Sequence, residues 1–133
     1  MDKRGFTLAE IMTVVAILGI MAGLGLPRIF GKLEEARFSE GLSAAQAVYA
    51  SQMRYSLDHG GAYSDDCSLL DLTVKTANFT NPPTCSSSNN PLVSLSRSNG
   101  AYTISVTYDS VNQKPVFSCP TCTANLKNIL NAH

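Results

Sequence analysis

Four cysteines, two histidines and a few carboxylates are the residues whose types could carry chemistry. Cys119-Pro120-Thr121-Cys122 has the spacing of a dithiol redox pair, but it follows a strand-like segment near the chain end with no βαβ context. A zinc site would want two close pairs, and Cys67 and Cys85 are far apart in sequence. Asp65-Asp66 with Asp71 could bind calcium, yet no fuller oxygen-ligand pattern surrounds them. His59 and His133 stand at no ligand spacing and read as surface histidines. Tyr49, Met53 and Tyr55 could form an aromatic electron path, but core packing is the simpler account. There is no Ser/His/Asp set, phosphate loop or paired-carboxylate cleft, so no enzyme activity, cofactor or metal is expected. The remaining candidate is Glu10, the single formal charge between Phe6 and Leu26.

What surrounds Glu10 is membrane-like. A helix from Phe6 to Leu26 would span about 30 Å, the thickness of a bilayer's hydrocarbon core. Lys3 and Arg4 precede it and mark a cytoplasmic flank, which puts the remainder across the membrane. The whole chain of 133 residues carries ten Lys+Arg against ten Asp+Glu, is 44% apolar and only 15% charged. That composition excludes a disordered tail and leaves no overall basic footprint for nucleic acid. Without Asp2, Lys3, Arg4 and Glu10, the two signs still balance. Three ordinary readings compete for the apolar run. A secretory signal could be cut near Gly23-Leu24-Gly25, but Glu10 sits near the start of the apolar run, where a carboxylate costs about 2–3 kcal/mol or more unless paired. A lipoprotein signal needs a cysteine just after the run, and the first is Cys67. A plain anchor leaves Glu10 unexplained.

The string Gly5-Phe6-Thr7-Leu8-Ala9-Glu10-Ile11, behind a short basic leader, resembles the prepilin motif of type IV pilins and type II secretion pseudopilins. The resemblance reaches over roughly the first 38 residues. It implies that a prepilin peptidase cuts between Gly5 and Phe6, that Phe6 is then N-methylated, and that Glu10 assists assembly. After the cut, the Phe6 ammonium would give Glu10 a partner, in its own helix or in a neighbouring subunit. A buried ion pair is a poor stabiliser but a good specifier of register. The resemblance also implies a homopolymer, a subunit held in the bacterial inner membrane with its N-terminus cytoplasmic, and an extracellular pilus built by inner-membrane assembly machinery. Lipid would surround the subunit before assembly. Adhesion, twitching motility and DNA uptake are the roles such filaments serve. A pseudopilin of a short periplasmic pseudopilus and a minor tip pilin that binds partners are the alternatives.

The rest of the chain must supply a head. Helical signal resumes at Lys32 and runs to about Asp58, with an apolar stripe of Phe38, Leu42, Ala45, Tyr49 and Met53 opposite Lys32, Glu35, Ser39 and Gln46. His59-Gly60-Gly61 ends it. Gly19, Gly23, Gly25 and Pro27 are the weakest stretch of this long helix and the segment expected to melt in a filament; Pro27 falls where pilins have a proline. Residues 62–91 read as loop, through Leu69, Leu70 and Leu72, then Asn81-Pro82-Pro83 and Ser86-Ser87-Ser88. Asn78-Phe79-Thr80 matches a glycosylation sequon by chance. Period-two segments at Leu92–Leu95, Tyr102–Tyr108 and Val116–Ser118 predict three antiparallel strands, with turns at Ser98-Asn99-Gly100 and Asn112–Pro115. Leu126, Ile129 and Leu130 predict a short terminal helix or edge cap. All four cysteines then fall on the oxidising side, so two disulfides are expected. Cys67–Cys85 and Cys119–Cys122 are the preferred of three pairings, and closing the longer loop is worth about 3 kcal/mol. The fold class is α+β: residues 1–5 a leader, 6–27 a membrane or filament-core helix, 28–59 its amphipathic second half, and 60–133 a head with a small antiparallel sheet.

Overall fold

The computed structural model describes residues 5–80 and 82–132. Residues 1–4, with the leader's Lys3 and Arg4, together with Asn81 and His133, lie outside the described residues. The elements in chain order are helix α1 (Leu8–Asp58), strands β1 (Thr84–Cys85), β2 (Val93–Ser96), β3 (Thr103–Asp109) and β4 (Lys114–Ser118), and helix α2 (Ala124–Leu130). A single 3-10 turn, Cys67–Leu69, interrupts the loop after α1. The protein is therefore α+β, with a long N-terminal helix and a small antiparallel sheet. Two compact units share α1, dividing at Glu34 and Glu35.

In the first unit, α1 is apolar on every side. Ile11, Met12, Val14, Val15, Ile17, Leu18, Ile20, Met21, Leu24, Leu26, Ile29 and Phe30 are each more than half exposed. A helix that is hydrophobic all round needs an apolar surrounding rather than one packed face. Its length and composition suffice to cross a membrane. Gly19, Gly23 and Gly25 sit in regular helix, and a Cβ added at any of them would meet nothing within 4 Å.

The second unit has one core, formed where residues 35–58 of α1 cover one face of the sheet. Phe38, Leu42, Ala45 and Val48 from the helix meet Val93, Leu95, Tyr102, Ile104 and Val106 from the sheet. Phe38 and Phe79 both approach the Tyr102 ring edge-on, with centroids 5.6 and 6.1 Å away. The buried helical face follows the 3.6-residue period more closely than the expected stripe did. Tyr49 and Met53 are only half-buried, while Val48, Ser51 and Gln52 lie inside. Gln52 is fully buried because its amide pairs with both backbone groups of Ser64, Nε2 donating to the carbonyl at 2.8 Å and Oε1 accepting from the N–H at 3.0 Å. A polar side chain can occupy a core position on those terms.

The sheet order is β1-β2-β3-β4, antiparallel throughout. It has four strands where three were expected. Thr84 and Cys85 pair with Ser94 and Val93, inside a stretch read as loop. Two residues are too few to show a period-two pattern, and the flanking prolines and serines masked them. Pro115 belongs to β4 rather than to the preceding turn, opposite Tyr108. An edge strand tolerates a residue without an N–H, and β4 is an edge. The helix ends as expected at His59-Gly60-Gly61: Gly60 has φ +64°, and the Gly61 N–H returns to the Ser56 carbonyl at 2.8 Å. This is a Schellman close, for which a residue without Cβ is favoured. Gly41 meets another demand. The Phe79 ring lies so close that an added Cβ would stand 2.2 Å from its Cζ.

Candidate functional site

Gly5, Phe6 and Thr7 precede α1 in non-helical backbone, and all three are exposed. The Gly5–Phe6 bond thus lies outside the helical hydrogen-bond ladder, in a form that a peptidase could take extended. Thr7 is the N-cap that follows. Its N–H and its hydroxyl both donate to Glu10 Oε2, at 2.8 and 2.9 Å, and its Oγ1 accepts from the Glu10 N–H at 3.3 Å. This reciprocal arrangement is a capping box, in which two of the helix's orphan donors are satisfied by side chains. The spacing Thr7-Leu8-Ala9-Glu10 carries that signal in the sequence itself, although the sequence reading considered Glu10 only for its charge. One turn on, the Thr13 hydroxyl returns to the Ala9 carbonyl at 2.8 Å.

The arrangement has a chemical consequence. With Gly5 still attached, Glu10 is engaged at its own helix start. Cleavage before Phe6 would create an ammonium group one residue ahead of the cap, and a carboxylate that accepts from Thr7 through one oxygen retains acceptor capacity for a second partner. Gly19, Gly23, Gly25 and Pro27 all lie within the regular span of α1.

In the second unit, Cys67 is joined to Cys85 and Cys119 to Cys122. The first bridge ties the 3-10 turn to β1, and the second ties the end of β4 to the start of α2. Asp65, Asp66 and Asp71 do not converge. Asp65 Oδ1 accepts from the Ser87 N–H at 2.6 Å, and Asp66 Oδ1 caps the 3-10 turn through the Ser68 N–H at 2.8 Å. Asp71 accepts from the Ser51 hydroxyl and takes Arg54 Nε at 2.6 Å and Nη2 at 2.9 Å. Hydrogen bonds lower the pKa of all three, and the Arg54 and Ser51 donors bring Asp71 to about 2. Among the described residues, no group of three or more His, Cys, Asp and Glu is placed to hold a metal. The Tyr55 and His59 rings stack at 3.8 Å, where the helix ends. Burial raises the pKa of Tyr49 and Tyr63, and the neighbouring tyrosines add to it.

Asn78 of the sequon-like triplet is engaged by its own fold. Its amide donates to Glu40 Oε2 at 2.9 Å, and its carbonyl accepts from Arg97 Nη1 at 2.6 Å. Phe79 beside it is buried, with the Arg97 guanidinium 5.9 Å from its ring centroid.

Residues 1–26 match the prokaryotic N-terminal methylation motif. The type II secretion system core protein G of Pectobacterium carotovorum subsp. carotovorum is 36% identical over 73 residues, which cover 55% of this chain and 47% of that protein. The protein of the same name from Pseudomonas aeruginosa is 40% identical over 74 residues, 56% of this chain and 51% of its own. The type IV major pilin protein PilE1 of Neisseria gonorrhoeae is 38% identical over 58 residues, 44% of this chain and 35% of its own. The chain thus spans about half, or less, of the length of these curated relatives. No solved structure matches it.

Proposed function

We propose that this chain, whose first 26 residues match the prokaryotic N-terminal methylation motif and whose relatives include type II secretion core proteins G and a type IV major pilin, is the structural subunit of a type IV pilus filament. The observation that carries this reading is the junction of an exposed Gly5–Phe6 bond, a capped Glu10 and a helix apolar on all sides within one short segment. The subunit is held in the bacterial inner membrane with its N-terminus cytoplasmic. Prepilin peptidase cuts before Phe6 and methylates the new terminus. Assembly machinery then moves the helix from lipid into a filament core, and the same apolar surface is satisfied in both places.

A second reading has its own support. The similarity to type II secretion core protein G runs over 73 and 74 residues, against 58 for the pilin. On that basis the product would be a short periplasmic pseudopilus. Electron microscopy of sheared surface material, combined with peptide mass spectrometry, separates the two. Long filaments whose subunit begins at N-methylated Phe6 are expected. Filaments retaining Met1, or a mature start near Leu26, would refute the processing scheme. A correctly processed chain that never leaves the periplasm would transfer the assignment to the pseudopilus.

A further inference from the structure

A groove of about 460 Å³ opens in the second unit between residues 65–74 and residues 82–85, over Val48 of α1. Its volume is that of a small-molecule site, which typically has an apolar lining and few polar groups. Val48, Leu70 and Pro83 line it as buried residues, and Leu72 and Val74 are half-buried beside them. The Cys67–Cys85 bridge joins its two walls, so the groove is held open before any ligand arrives. The charged lining residues are Asp65 and Asp66, both carboxylates, and no Lys or Arg lines it. Each uses Oδ1 to hold backbone, at Ser87 and Ser68. The Ser87 and Ser68 side chains add to these contacts, and both aspartates remain exposed. Backbone and side-chain hydrogen bonds from Ser87 and Ser68 lower the pKa of both groups, which are ionised at neutral pH.

An apolar lining with two ionised carboxylates complements one kind of occupant. We propose that this groove binds a small organic cation, an ammonium or guanidinium group on an apolar body of about one ring, with the charge at Asp65 and Asp66 and the body against Leu70, Leu72 and Val74. A neutral molecule of the same shape would fill the apolar part but gain no charge complementarity from the two carboxylates. An anion would be repelled. The volume suits a free molecule with one ring better than an extended peptide, whose flanking residues would have to lie along the surface.

The probe pair is benzylamine and benzyl alcohol, equal in shape and different in charge. The full chain in lipid nanodiscs, labelled at Leu and Val methyls, reports binding site by site, which separates the groove from partition into lipid. Benzylamine should give saturable shifts at Leu70, Leu72 and Val74 and none at methyls outside the groove. It should bind about tenfold more tightly than benzyl alcohol, the scale of one hydrogen bond to a charged group. Asp65→Asn with Asp66→Asn keeps the Oδ1 acceptor that each backbone N–H needs, so the loops should stay folded while the charge is removed. In that variant the preference for the amine should disappear. Equal binding of amine and alcohol in the unaltered chain overturns the proposal, as does absence of shifts at those three residues. A preference that survives in the double variant overturns it equally, because the carboxylates would then not be its source.

Discussion

Asp71 and Arg54 form an exposed pair, and exposed pairs are ordinarily worth little. What distinguishes Asp71 is that Ser51 donates to it as well, so three donors from one face of α1 hold the loop that follows the 3-10 turn. The folded state lowers its pKa from 3.8 to about 2. A depressed carboxylate contributes stability that is fully present above its unfolded pKa and is lost as pH falls through the folded one. The loss therefore falls between about pH 4 and about pH 2. Asp65, Asp66 and Asp109 are shifted in the same direction, so the wild-type curve in acid is a sum over several groups. Asp71→Asn isolates one of them. The variant should melt below wild type at neutral pH, and the gap should close as pH approaches 2. Thermal scans of both proteins across that window check this; a gap that stays constant would mean that Asp71 contributes by shape alone. Asp71 was visible in the sequence only as one of three possible calcium ligands, because its partners lie on α1, far away along the chain.

At the scale of elements, α1 and β3 were the most legible, because each carries many turns or alternations of its own period. The apolar stripe missed Gln52 and Ser51, which are polar yet buried, and no count of apolar residues finds a glutamine that pairs with a backbone. The two-residue β1 was hidden for the opposite reason, having too little pattern of its own. Gly41 was passed over entirely, since in sequence it is one more glycine on a helix. Its reason is the Phe79 ring. Gly41→Ala should gain about 1 kcal/mol in helix propensity and, because the added Cβ overlaps the buried Phe79 ring, lose to overpacking at the upper end of about 1–3 kcal/mol, for a net loss. The melting temperature should fall, and Phe79→Leu in the same chain should recover part of it, as denaturation of the four members of the cycle would show. Gly19, Gly23 and Gly25 differ from Gly41 in having open space around them. Pro27 cannot donate to the Gly23 carbonyl, yet the stretch is helical in the structure. In lipid, unpaired backbone groups would face hydrocarbon, which favours the helix. In a filament core, neighbouring subunits can satisfy them, so we expect residues 19–27 to lose regular helix on assembly. A filament map with an unbroken i to i−4 ladder through these glycines would reject that expectation.

For the molecule as a whole, the proposed function asks one segment to serve two surroundings, and Glu10 is where they differ most. As an uncut chain in a bilayer, the carboxylate already has Thr7 donating through nitrogen and hydroxyl, which lessens the cost of carrying it into lipid. The capping box alone therefore gives Glu10 a reason to exist in any anchored helix. Pairing with a neighbour's Phe6 ammonium, the role we propose for it, is separate and needs charge, whereas capping needs only an oxygen acceptor three residues after the threonine. Glu10→Gln keeps the acceptor and discards the charge; Glu10→Ala removes both. If register between subunits is set by the ion pair, both variants should insert and be cut before Phe6, and both should fail to make filaments in normal number. Glutamine should also retain the slow amide exchange of the first helical turn that alanine loses, since an N-terminal cap is worth about 1 kcal/mol. The measurements are membrane-fraction levels, the mature N-terminus by mass spectrometry, and filaments counted by microscopy in cells expressing each form alone. Normal filaments from the glutamine variant would reduce Glu10 to a helix cap and leave axial register to the apolar side chains between Ile11 and Phe30.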